Sequence, residues 1–108
     1  MTATGDYVVL MTTLGTPEAA ASLSRTLVED RLVACAQRVP IESVYRWEGA
    51  VVEEAETLLL LKTPRDRAAE AMAAIGARHP YEVPEILQLP VADGWPAYLR
   101  WMDEQTTT

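Results

Sequence analysis

The spacing of apolar and polar positions changes several times along the chain, and the changes predict its elements. Tyr7 to Met11 is a short valine-rich run, which predicts a strand. Thr12 to Gly15 reads as a turn. Thr16-Pro17-Glu18 then opens a helix, with a capping hydroxyl, a proline at the first helical position and an acid in the first turn. Ala20, Leu23 and Leu27 share one face of that helix, which should end near Arg31. Leu32 to Val39 predicts a second strand, interrupted at Pro40 as at a bulge or an edge. Ile41 to Trp47 resumes the alternation and places Ile41, Ser43, Tyr45 and Trp47 on one face. Glu48-Gly49-Ala50 supplies a hairpin turn, and Val51 to Lys62 makes a long third strand. Thr63-Pro64-Arg65-Asp66 repeats the helix start, with Asp66 at the acid position of a capping box. Ala68, Ala71, Met72 and Ile75 form the buried stripe of this second helix, which Gly76 and Pro80 end. Glu85 to Val91 predicts a fourth strand. A third helix follows from about Trp95 to Asp103, with Tyr98 and Trp101 or Met102 facing inward and Thr106 to Thr108 frayed.

This order, β-α-β twice and then a helix, is the split βαβ plan. It predicts an α+β, ferredoxin-like sandwich over a single domain, residues 1–108, with an extra C-terminal helix. Four antiparallel strands then carry two helices on one face and leave the other face open. Leu58-Leu59-Leu60-Leu61 makes that open face a problem. Successive strand residues point to opposite sides, so two of the four leucines face away from the helices. Val8, Val9 and Leu10 repeat the problem on the neighbouring strand. Several apolar side chains left together in water make a sticky patch. The final helix can cover part of it, and self-association the rest, so the chain is expected to form an oligomer. The hairpin from Ile41 to Lys62 is longer than a four-stranded sheet needs, and its tip is expected to pair with another subunit.

Composition narrows the function classes. With 108 residues, 49% hydrophobic and 23% charged, the chain is a globular type that fills its core without phenylalanine. A net charge of −7 argues against nucleic acid as a partner and is compatible with attracting cations. Met1 to Gly5 lacks the basic start of a secretory signal, and no run approaches the roughly 20 apolar residues of a membrane span. The expected location is the cytoplasm, in keeping with a single cysteine, Cys35.

The segment His79-Pro80-Tyr81-Glu82-Val83-Pro84-Glu85 concentrates chemistry: it holds the one histidine of the chain, a phenol and two carboxylates. Pro80 and Pro84 forbid a helix through it and stiffen it. His79 reads either as a metal ligand or base or as the cap of a helix end. Glu82 and Glu85 offer oxygen ligands or solvated carboxylates. Lys62 ends an apolar strand and is expected to ion-pair with one of these acids. Cys35, among Val33, Ala34 and Ala36, reads as a small buried hydrophobe. Tyr45 and Trp47 alternate with Arg46 on the hairpin, where they line either an intersubunit groove or a packing surface. Glu54 and Glu56 share a face and Glu53 points away, which reads as a solvated strand edge. No Gly-rich phosphate cradle and no nucleophile–base pair can be assigned.

Five segments in order resemble the CutA family of divalent-cation tolerance proteins. They are Leu32-Val33-Ala34-Cys35-Ala36, Ser43-Val44-Tyr45-Arg46-Trp47-Glu48-Gly49, Lys62-Thr63, His79 through Ile86, and Tyr98-Leu99-Arg100-Trp101. The resemblance implies a ferredoxin-like subunit in a tight homotrimer similar to PII signalling proteins, with sheets facing inward and hairpins reaching across. It implies a link to copper and other divalent metals (zinc among them), with no cofactor required. The family's metal constellation maps onto Met11, His79 with its neighbour Arg78, and Glu85. Met11 stands where the family has a cysteine, and Arg78 where it can have a histidine. A thioether suits Cu(I) and binds Zn(II) poorly, and an arginine repels cations. Tyr45, Trp47, Lys62, Tyr81 and Glu82 are the candidates for a cleft between subunits. The expected function is a non-enzymatic metal-ion tolerance protein. The alternative is a PII-like adaptor that binds a small metabolite or a partner protein in that cleft.

Overall fold

A computed structural model describes residues 6–107. Its strands are β1 (Tyr7–Leu14), β2 (Cys35–Trp47), β3 (Ala50–Pro64) and β4 (Ile86–Pro90). Its helices are α1 (Pro17–Glu29), α2 (Ala68–Arg78) and α3 (Pro96–Thr106), and a 3-10 turn at Arg65–Arg67 leads into α2. The sheet is antiparallel throughout, in the order β2-β3-β1-β4, which is the expected ferredoxin-like topology. The expectations for Met1 to Gly5 and for Thr108 concern positions outside the described residues.

Register explains the two faces. On the helix side, Val8, Leu10, Leu14, Leu59 and Leu61 pack with Ala20, Leu23, Leu27, Ala68, Ala71 and Ile75. The stripes foreseen on α1 and α2 therefore form the core, with Met72 at its margin. On the opposite side, α3 covers one end of the sheet. There Tyr7, Ala34, Leu99 and Met102 form a second cluster, and the Tyr7 hydroxyl donates to Asp103 at 2.6 Å. Beyond α3 that face is open. Val9, Met11, Leu58 and Leu60 are half-buried there. Leu87 and Leu89, their neighbours in the β1–β4 register, are 53% and 42% exposed.

Several local expectations give way to longer-range pairing. Thr12 to Leu14 continue β1 rather than turn, because they pair with Leu59, Leu58 and Thr57. β2 runs through Pro40 without a break. It is an edge strand, so the missing N–H of Pro40 leaves no central ladder bond unmade. The first Thr-Pro start behaves as foreseen: Thr16 Oγ1 accepts from the Ala19 amide at 3.1 Å. The second does not. Thr63 remains in β3 and donates its hydroxyl to the Leu32 carbonyl at 2.8 Å, so no side chain caps α2. α2 continues through Gly76 and stops where His79 is extended ahead of Pro80.

α3 runs on to Thr106, which is buried and donates to the Met102 carbonyl at 2.9 Å, so it is not frayed. Leu99 and Met102 face inward, whereas Tyr98 and Trp101 lie outward and stack on each other with centroids 5.5 Å apart. The hairpin turn is tighter than expected. Only Glu48 (φ 49) and Gly49 (φ 82) form the loop, and positive φ at both is the type I′ geometry that matches strand twist. β2 and β3 pair from Cys35–Lys62 out to Trp47–Ala50 and give the molecule its 47 Å long axis.

Candidate functional site

The site assembles where β1, the root of the long hairpin and the His79–Glu85 segment meet. His79 leaves the end of α2 beside β1, and its Nε2 lies 2.8 Å from the Thr13 carbonyl. Its other ring nitrogen, Nδ1, accepts from the Tyr81 amide at 3.2 Å. The two rings meet edge-on, 4.7 Å apart. Tyr81 thereby reaches back to β3, where its hydroxyl donates to Glu56 at 2.7 Å. Gly15 makes room for this: a Cβ there would lie 3.2 Å from the Tyr81 oxygen. On the hairpin, the Tyr45 hydroxyl donates to Glu54 in a short bond across the strand pair.

Around these pairs lies a cleft of about 590 Å³, lined by Thr13, the hairpin residues Ser43, Val44, Tyr45, Trp47, Glu54 and Glu56, and Tyr81, Glu82, Val83 and Glu85. That size falls in the range of small-ligand sites. Among the described residues it presents four carboxylates and three aromatic side chains, and no lysine or arginine. Glu56 is only 8% exposed, whereas Glu82 and Glu85 stand in solvent. Burial, then the bond to Glu56, holds the Tyr81 hydroxyl well above the ordinary tyrosine range. The bond to Glu54, reinforced by burial and by the charges of Glu54 and Glu56, pushes Tyr45 up to about 12. Both phenols are therefore neutral donors at pH 7 and leave the negative charge on the carboxylates.

Of the residues foreseen as candidates, Tyr45, Trp47, Tyr81, Glu82 and Glu85 meet in this cleft. Lys62 does not. It pairs in register with Cys35 and Val9, six residues from Glu56, which is about 20 Å along a strand. Its ammonium lies 5.8 Å from the Tyr98 ring rather than against an acid. The ion pair present among the described residues joins Arg67 and Glu70. Cys35 is half-buried rather than buried. It sits near Tyr98, whose hydroxyl is raised first by burial and then by Cys35.

Met11 lies on the open sheet face opposite Leu87, and His79 is held beside Tyr81. Neither lines the cleft that holds Glu85. Among the described residues, no group of three or more histidine, cysteine, aspartate or glutamate side chains could hold a metal ion. Glu56 also lines the cleft, though its sequence context does not single it out. Beside Glu54 it reads as a solvated edge, yet it is buried and accepts from the Tyr81 hydroxyl. Parity gives no signal for this, since Glu56 and the exposed Glu54 pair with Ile41 and Ser43 on the same face.

Comparison with known proteins agrees with the fold. The model of the family described as CutA1 divalent ion tolerance protein matches residues 8–105. The divalent-cation tolerance protein CutA of Thermus thermophilus is 44% identical over 99 residues, 91% of this chain and 96% of that protein. The chloroplastic CutA protein of Arabidopsis thaliana is 38% identical over 92% of this chain, which spans 55% of the plant protein's length. The solved structure of CutA from Synechococcus elongatus superposes with a TM-score of 0.94 at 33% identity, covering 98% of this chain and 95% of that one. With residues 8–105 matched, a span that holds the long hairpin and the His79–Glu85 segment, the chain belongs to the CutA1 divalent ion tolerance family.

Proposed function

We propose that this chain acts as a non-enzymatic homotrimer in divalent-cation tolerance, copper among the cations, with the Tyr45–Glu56–Tyr81 cleft as its ligand site. The observation that carries the reading is the lining of that cleft: Glu54, Glu56, Glu82 and Glu85 with no basic side chain among them. Such a surface raises the local concentration of cations. Without a closed set of ligands, it suits hydrated ions held weakly and exchanged quickly. No nucleophile–base pair lines the cleft, which favours binding over catalysis. The PII-like trimer is supported by the open face of the sheet and by a hairpin that projects well beyond its own core. No helix among the described residues is long and apolar enough to cross a membrane. With a single half-buried cysteine, the reading places the protein in the cytoplasm.

Calorimetry with Zn²⁺ and Cu²⁺ tests this on the wild type and on the triple variant Glu54→Gln, Glu82→Gln, Glu85→Gln. Weak binding that the variant loses supports a carboxylate cleft. Binding that the variant retains removes the cleft from cation handling.

One observation favours a second reading, an adaptor that holds a small organic molecule. Tyr45, Trp47 and Tyr81 give the cleft aromatic walls, and these suit an organic ligand better than a bare ion. A thermal-shift screen in which an organic compound stabilises the protein and divalent ions do not would favour that reading.

A further inference from the structure

The one histidine of the chain sits at the junction of three elements, and its partners fix its chemistry. The Thr13 carbonyl can only accept, so Nε2, 2.8 Å away, must carry a proton. The Tyr81 amide can only donate, so Nδ1, 3.2 Å away, must be bare. One protonation state meets both demands: the neutral ring with its proton on Nε2. Its single lone pair in the ring plane is then taken by the Tyr81 amide. A metal needs that lone pair, or needs the Nε2 proton removed together with its bond to β1.

What the histidine does instead is visible in Tyr81. The amide of Tyr81 is tied to Nδ1, its ring rests edge-on against the imidazole, and its hydroxyl reaches Glu56 on β3. Glu56 is 8% exposed, and this phenol supplies its hydrogen-bond donor. Pro80, between the two residues, fixes the backbone that joins them. We propose that His79 is a positioning residue rather than a cation ligand: as the neutral Nε2-protonated ring it ties the Thr13 carbonyl to the Tyr81 amide and so aims the Tyr81 hydroxyl at Glu56 in the cleft. Cation binding at the cleft then proceeds without imidazole. This inference stands on the ring's own hydrogen bonds, so it survives even if the cleft binds no cation.

A single histidine makes the test direct, because its ring nitrogens give the only imidazole signals in a long-range ¹H–¹⁵N spectrum. The expected spectrum at neutral pH shows Nε2 protonated and Nδ1 bare, and it stays unchanged when Zn²⁺ is added in excess. A proton on Nδ1, or a stoichiometric shift of either nitrogen with Zn²⁺, would overturn the proposal. A second arm follows Tyr81 as the difference in ultraviolet tyrosinate signal between proteins with Tyr81 and with Tyr81→Phe, in the wild type, His79→Ala and His79→Gln. Alanine should lower the pH at which this phenol ionises. Glutamine, whose amide can still donate to Thr13, should restore part of the shift. An unchanged titration in His79→Ala would show that the ring does not aim the phenol. The ¹⁵N measurement needs no variant, so it decides the matter even if His79→Ala fails to fold.

Discussion

Tyr45 and Tyr81 keep their protons in the folded chain to a higher pH than they would unfolded, Tyr45 chiefly because it donates to Glu54, and Tyr81 chiefly because it is buried and then because it donates to Glu56. An unfolded tyrosine ionises near pH ~10. Below that pH both states are protonated, and the stabilisation from these bonds is complete. Above it the unfolded chain releases its protons first, so stability falls as pH rises, through about 12 for Tyr45. The urea midpoint should therefore decline above about pH 10, less steeply in Tyr81→Phe than in the wild type. Equal slopes in the two proteins would contradict the assignment. The same residues mark what could be read from sequence at this scale. His79–Glu85 announced itself by composition and does line or support the cleft. The burial of Glu56 could not be read, because the phenol that covers it lies 25 residues downstream.

Two copies of one start signal behave differently at the scale of elements, and the difference is tertiary. Thr16 has no competing partner and caps α1. Thr63 is held in β3 by pairing with Val8 and by its bond to the Leu32 carbonyl, so α2 begins through a 3-10 turn. Thr16→Ala should therefore cost about 1 kcal/mol of stability by chemical denaturation. A loss near zero would mean that the cap contributes nothing. Strands and helices were legible wherever alternation or a 3.6-residue stripe was complete, as on α1 and α2. They were misjudged where a local breaker met a non-local pairing. Pro40 did not stop an edge strand, and Gly76 did not stop a helix that a proline further on would end. On α3 the spacing predicts Tyr98 with either Trp101 or Met102 facing inward, and of these Met102 is buried. Leu99 shares the inward face with it, and the Tyr98 and Trp101 rings stack outside.

For the whole molecule, the sheet order followed from the βαβ repeat, and the open face followed from parity in the leucine run. Neither pattern could give the extent of cover by α3, which depends on where a C-terminal helix lands. It lands at the Tyr7 end and leaves Val9, Met11, Leu58 and Leu60 with Leu87 and Leu89 beyond it. Burying each exposed leucine is worth roughly 1.5–3 kcal/mol, which favours association over solvation of that face. The central claim is that three copies hide this face together and set the acidic cleft at their seams. Light scattering on the purified chain at micromolar concentration tests it most directly. The account predicts a single species of three times the 11.9 kDa chain mass, unchanged on dilution. A stable species of one chain mass would contradict it.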